Sequence, residues 1–236
     1  SEVHGLNISR ESVRQLMITE GLWKSKSLKR PHIHQMRERR ACFGELVQID
    51  GSPHRWFEDR GPSCNLLVFI DDATGRLGEL YFTPQESFFS YGEAARRYFA
   101  RHGKPVAFYC DKHGIFRVNI KNAVSGSGMT QFGRAMKELD IEIICANTPQ
   151  AKGRVERANL TLQDRLVKEL RLRGISSIED ANSFMPEFIQ DFNQRFAVVP
   201  SSSHDMHRPL SRNVNLDHIF SWQETRTLSK NLTLQF

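Results

Sequence analysis

The sequence predicts an α/β protein: a mixed five-stranded sheet with helices on both faces, its elements running β-β-β-α-β-α-β-α and ending in a further helix. Three observations predict it. Three short apolar segments follow one another across turn-rich connections, the pattern of an antiparallel meander. Two more apolar segments are each entered from a helical pattern, so each runs parallel to a neighbour. Apolar residues make up 39 % of the 236 residues and charged residues 25 %, which excludes a disordered or fibrous chain.

The elements follow in order. Ser9 is an N-cap, Val13, Leu16 and Met17 form an i, i+3, i+4 stripe, and Gly21 stops this first helix. Lys24–Arg40 has no apolar period and reads as a linker. Leu46–Asp50, Cys64–Asp71 and Leu77–Phe82 are the meander strands, punctuated by Gly51-Ser52-Pro53, Arg60-Gly61-Pro62-Ser63 and Asp71-Asp72-Ala73-Thr74-Gly75. A helix runs from about Ser87 to His102 and is stopped by Gly103. Val106–Asp111 is the fourth strand, and a polar loop over Asn119–Thr130 leads to a helix near Gln131–Leu139. Ile141–Cys145 is the fifth strand. A long helix over Lys152–Leu172 ends at Gly174, and another over Ser177–Phe196 is expected to kink or break at Pro186. Thr225–Leu228 and Asn231–Phe236 are strand-like pieces too short to close a domain. The domain reading is residues 1–23, a basic linker over 24–40, a core over 41–200, and a tail over 201–236.

Several function classes fall away. No run reaches the ~18 apolar residues of a membrane helix. The start, Ser1-Glu2-Val3-His4, has neither a methionine nor a secretory pattern, so a piece of a longer soluble, intracellular protein is expected. Cys42, Cys64, Cys110 and Cys145 include no C-x-x-C pair and read as free thiols. His32 and His34 lack a second ligand pair at zinc-finger spacing.

Charge is more informative. The net charge is +6, and Lys24, Lys26, Lys29, Arg30, Arg37, Arg39 and Arg40 stand against Glu38 alone within the linker. Lys152, Arg154 and Arg157 open a second basic stretch beyond a nearly neutral middle. Two separated basic segments predict a polyanion that crosses the protein at two places, which is the footprint of nucleic acid.

Three acids then draw notice. Asp50 ends the first strand, Asp111 ends the fourth, and Glu156 lies one turn into the long helix. In this order the first and fourth strands are neighbours, which sets the two aspartates side by side. A cluster of carboxylates without a fixed cation suits Mg²⁺, which takes a few carboxylates and fills its other positions with water and phosphate oxygens. A pair of such ions serves in-line phosphoryl transfer. Asp71, with Asp72 and Thr74, reads as Asx-turn chemistry. His54 and His113, a few residues past the aspartates, and Gln150, ahead of the glutamate, are candidate neighbours of the site; the alternative for His54, with Trp56, is packing under the first hairpin.

The stretches V-Q-I-D-G-S-P-H-R-W-F, F-I-D-D-A-T-G-R-L, F-Y-C-D-K-H-G-I-F and N-T-P-Q-A-K-G-R-V-E-R-A-N-L-T-L-Q-D-R-L resemble the catalytic core of DDE transposases and retroviral-type integrases, and most of all bacterial insertion-sequence transposases of the integrase-core type. The resemblance covers about Phe43–Phe196. It implies a ribonuclease-H-like fold, the triad Asp50, Asp111 and Glu156, and Mg²⁺ or Mn²⁺. It also implies double-stranded DNA as partner (transposon ends and target), a homo-oligomer on that DNA and a bacterial cytoplasmic location. The first helix then resembles the end of a helix-turn-helix, and the tail resembles the start of a small C-terminal β-domain. Departures are visible. The 44 residues between Asp111 and Glu156 exceed the usual integrase spacing, with the excess in Asn119–Thr130. Where retroviral integrases place lysines after the glutamate, this chain has Leu160 and Gln163, with Asn159 alongside. Two other readings stay open: a nuclease of the same fold without strand transfer, and a domesticated transposase that binds DNA without cutting it.

Overall fold

The computed structural model describes residues 8–23, 38–118, 128–146, 153–224 and 230. The chain forms two units, residues 1–35 and 36–236. In the first, helix α1 (Arg10–Thr19) begins as expected: the Ser9 hydroxyl accepts the Ser12 N–H at 3.0 Å, and Gly21 sits at φ +67° past the end. None of its residues is buried, so Val13, Leu16 and Met17 present their stripe to solvent.

The second unit is built on one five-stranded sheet in the order β3-β2-β1-β4-β5. Strands β1 (Leu46–His54), β2 (Cys64–Asp71) and β3 (Leu77–Thr83) form the antiparallel meander, and β4 (Ala107–Cys110) and β5 (Glu142–Cys145) add to β1 in parallel. The first strand runs four residues past its expected end, through Gly51-Ser52-Pro53, because β2 continues to pair with it as far as His54 and Cys64.

Side-chain alternation sorts the core into two layers. Leu66, Val68 and Ile70 of β2 face helices α4 (Gly153–Leu172) and α5 (Ile178–Phe196). Leu67 and Phe69 face α2 (Phe88–His102) and α3 (Gln131–Glu138), joined by Ile219 of the short α6 (Leu216–Ile219), which the sequence pattern did not reveal. Helix α5 passes through Pro186 unbroken. The proline removes one backbone donor, but Ala181, Phe184, Met185, Phe188, Ile189 and Phe192 are buried on both sides of it, and that burial outweighs one missing bond.

Helix α5 also closes the outer edge of the sheet. The Asn193 side chain accepts the Leu77 N–H at 2.7 Å and donates to the Leu77 carbonyl at 2.9 Å. Asn182 does the same to Phe82, at 2.7 and 3.0 Å. Two amides three helical turns apart thus occupy β3 groups that would otherwise invite another strand.

After α5 the chain returns beneath the amino ends of β1 and β4. Ser202 N–H donates to Ala41 O at 3.0 Å, Met206 N–H to Phe43 O at 2.8 Å, and Arg208 exchanges two backbone bonds with Lys104. This strap packs tightly. Gly44 has φ +77°, and a Cβ there would stand 2.4 Å from the His207 ring. The strand-like pieces expected over Thr225–Leu228 and Asn231–Phe236 lie outside the described residues.

Candidate active site

Strand β1 carries Gln48, Asp50 and Ser52 on the face turned to α4, and α4 carries Val155, Asn159 and Gln163 at four-residue steps toward it. The two ladders are hydrogen-bonded rung by rung. Val155 N–H donates to Gln48 Oε1 at 3.1 Å, Asn159 Nδ2 to Asp50 Oδ2 at 3.0 Å, and Gln163 Nε2 to Ser52 Oγ at 3.1 Å. A two-residue strand step and a four-residue helix step are near-matched rises of about 6–7 Å and 6 Å, which is why the rungs stay in register. Glu156 directly follows the first rung, one turn before Asn159, and is exposed.

The parallel register pairs Leu46 with Ala107 and Gln48 with Tyr109. Continued two residues past the last paired position, that alignment would set Asp111 opposite Asp50; β4 itself ends at Cys110. Both carboxylates also face the buried Tyr91 phenol, whose pKa is held well above the ordinary tyrosine value by burial first, then by Glu86, Asp50 and Asp111. Asp111 additionally accepts the His113 N–H at 2.9 Å, an Asx-type turn at the strand end.

Glu86 is a carboxylate that sequence reasoning missed. It accepts the Tyr91 hydroxyl at 2.9 Å and lies across Gly51, where an added Cβ would meet its carboxyl group at 2.2 Å. The glycine of the D-G pair therefore makes room for an acid. Its signal in the sequence is faint: a lone glutamate before a helix cap.

Behind the site lies a second polar group. Asp71 accepts Thr74 N–H and Oγ–H at 2.7 and 2.6 Å and Gly44 N–H at 3.0 Å, the expected turn; burial raises its pKa above the ordinary aspartate value. Asp72, fully buried, does more. It accepts Gln48 Nε2 at 2.8 Å, Arg154 Nη1 at 2.7 Å and Arg40 N–H at 2.8 Å.

The other candidate residues are distributed as follows. His54 does not join the acids. It stands four residues further along β1, roughly 13 Å at strand rise, exposed and edge-on to Trp56 at 5.2 Å, because the extended strand carries it to the hairpin. The His113 ring accepts the Ile115 N–H at 3.4 Å within its own loop. Arg154 turns inward to Asp72 and is only 18 % exposed. Arg39 donates to the carbonyls of Asp72 and Ala73, and Arg40 reaches Glu45. Arg157 is exposed on the first turn of α4. Lys24, Lys26, Lys29, Arg30, Arg37, Gln150 and Lys152 lie outside the described residues.

Among the described residues no three His, Cys, Asp or Glu side chains stand close enough to form a finished cation cage. The donor set nevertheless fits a divalent ion. Asp50 and Asp111 both face the Tyr91 phenol, and the Oδ1 of Asn159, whose Nδ2 donates to Asp50, is buried with no hydrogen-bond partner, an acceptor in want of a donor or a cation.

No protein-family model matches the chain. It is 55 % identical over its full length to the y4bF protein of Sinorhizobium fredii (strain NBRC 101917 / NGR234), which carries the name of a transposase, and covers 52 % of that protein. It is 41 % identical over 167 residues to the transposase for insertion sequence IS1202 of Streptococcus pneumoniae, covering 35 % of it. The chain thus spans about half and about a third of the lengths of these two relatives. In fold it is similar to a chain of the simian T-cell lymphotropic virus intasome in complex with the PP2A regulatory subunit B56 gamma, with a TM-score of 0.53 and 17 % identity over 96 % of this chain and 74 % of that one. It is also similar to the HTLV-2 integrase catalytic core in complex with magnesium, with a TM-score of 0.50 and 18 % identity over 69 % and 94 %. The chain is therefore similar to transposases in sequence and to retroviral integrase catalytic cores, with their ribonuclease-H-like fold, in structure.

Proposed function

We propose that this relative of insertion-sequence transposases, folded as an integrase core, is the catalytic portion of a DDE transposase. It nicks transposon ends by hydrolysis and joins the freed 3′-OH to target DNA. One observation supports the reading: Asp50 on β1 and Asp111 just past β4 both face the Tyr91 phenol, while α4, pinned to β1 at Gln48, Asp50 and Ser52, carries Glu156 one turn before the Asn159 that donates to Asp50.

Asp50, Asp111 and Glu156 would hold Mg²⁺ or Mn²⁺, and the magnesium of the HTLV-2 core supports that choice. Bound there as a pair, the ions would supply Lewis-acid activation of the attacking oxygen and neutralise charge on the leaving one. The chain's own part is positioning. Asn159 holds one oxygen of Asp50, and His113 N–H holds one oxygen of Asp111. Exposed Arg157, with the basic residues of the linker and Lys152, supplies phosphate contacts that hold the scissile bond over the acids. Joining two ends calls for two such sites, hence a homo-oligomer on DNA. No helix among the described residues is long and apolar enough to cross a membrane.

The test is to incubate the full-length protein with labelled transposon-end DNA, target DNA and Mg²⁺. Joined products of increased size are expected from the wild type, and none from Asp50→Asn, Asp111→Asn or Glu156→Gln, each of which should still bind end DNA. Cutting without joining would point to a nuclease. Wild-type activity in Asp50→Asn would overturn the triad.

A further inference from the structure

The first turn of helix α4 is tied to the sheet. The third residue of its first turn, Val155, gives its N–H to the Gln48 side chain, and Gln48 is fully buried. A free-standing helix would leave that donor to water or to an N-cap side chain. Here Gln48 is itself fixed from the other end, since its Nε2 donates to Asp72 Oδ1 at 2.8 Å. Arg154, the residue before Val155, places Nη1 on the same Asp72 oxygen at 2.7 Å. Asp72 therefore grips the first turn of α4 twice, through Arg154 directly and through Gln48 and Val155 indirectly. Its other oxygen accepts Arg40 N–H at 2.8 Å, where the basic segment runs into the core.

We propose that Asp72 is a positioning residue for Glu156. The buried carboxylate, acting through Arg154 and Gln48, sets the rotation and depth of the α4 turn that presents Glu156 to Asp50 and Asp111; this rests on the metal-dependent reading above. The geometry leaves little freedom, for Glu156 is the residue after Val155, and both residues before it are anchored. Asp72 itself is fully buried and so offers no surface to DNA. Neutralising it should therefore change how the acids act together without changing DNA affinity. Outer partners of a metal site commonly tune affinity by about 10–100-fold.

The experiment uses Mn²⁺ alone as probe, with binding to the protein followed by the loss of the free-ion electron paramagnetic resonance signal. Wild type, Asp72→Asn, Arg154→Met, Asp50→Asn and Phe99→Leu are compared, the last being a buried substitution in the opposite layer that lowers stability without touching α4. Asp72→Asn and Arg154→Met should each weaken Mn²⁺ binding about tenfold. They should lower kcat at saturating end DNA while KM for that DNA stays within twofold. Phe99→Leu should leave Mn²⁺ affinity unchanged, which separates positioning from general loss of stability. If Asp72→Asn does not fold, Arg154→Met decides. Wild-type Mn²⁺ affinity in a folded Asp72→Asn or Arg154→Met, with Asp50→Asn still deficient, would overturn this inference and leave the active-site reading standing. A wild type that binds no Mn²⁺, or an Asp50→Asn that binds it as well as wild type, would overturn both.

Discussion

Gly51→Ala is the most instructive single substitution, because one added carbon reaches two parts of the site. The new Cβ would lie 2.2 Å from the Glu86 carboxyl carbon and both of its oxygens within 2.3 Å. The far end of a glutamate can swing away, so the strand need not move, but the hydrogen bond from Tyr91 goes with it. A bond to a carboxylate contributes about 1.5–3 kcal/mol, and the phenol left behind is fully buried. Against this, alanine in a strand regains about 0.5–1 kcal/mol relative to glycine. The net expectation is a loss of about 1–2 kcal/mol, or some 3–6 °C in Tm for a domain of this size. Urea denaturation at neutral pH measures it. The decisive arm is the double-mutant cycle: in a Tyr91→Phe background the bond is already gone, and Gly51→Ala should then be neutral or slightly stabilising. Equal cost in both backgrounds would refute the account, since the penalty would come from the strand and not from Glu86.

Three further outcomes are expected. Glu79 is 1 % exposed and reached by Arg101 at 2.8 Å, yet burial raises its pKa from 4.5 to about 7. The folded protein therefore binds the proton more tightly than the unfolded chain, so this contribution is full below about pH 4.5 and is lost as pH rises through about 7. Glu79→Gln should remove that slope, on the order of 3 kcal/mol between pH 4 and 8, in urea denaturation compared at the two pH values. Asn193→Ala, which uncovers Leu77 on the β3 edge, should cost about 1–3 kcal/mol and raise light scattering on heating, whereas an unchanged midpoint would show the edge to be satisfied without it. Replacing Lys24, Lys26, Lys29, Arg30 and Arg37 with glutamine should flatten the salt dependence of binding to any duplex by about 0.9 in log–log slope per lost phosphate contact; an unchanged slope would make the segment a mere spacer.

The elements were legible because their signals are local. Apolar runs, Ser9 and Ser87 caps, and stops at Gly21, Gly103 and Gly174 need no knowledge of distant residues. The pairing of β1 with β4 followed from the element order. What stayed hidden depends on residues far apart in the chain. Asp72 looked like turn chemistry because its partners are Arg40, Gln48 and Arg154, and nothing in D-D-A-T-G announces them. The ion pair of Arg154 with Asp72 was hidden for the same reason: charge in a sequence does not say which way a side chain turns. Pro186 seemed a break because local propensity was weighed without the buried face of α5.

The strap beneath the sheet has a mechanical meaning. The segment entering the core at Ala41 and Phe43 and the segment leaving it at Ser202 and Met206 lie side by side, joined by two backbone bonds, with Arg208 clipped to Lys104 next to them. The chain therefore passes this corner, at the amino ends of β1 and β4, on both its inward and its returning path, before residues 210–223 go on to pack against α2 and α3. Asp111 lies past the carboxyl end of β4, and Asp50 further along β1. The two segments run parallel, so tension drawing residue 41 and residue 206 apart would load their bonds together in shear, not one after another. That shared load would be carried at this corner, away from the carboxylates at the far end of the strands.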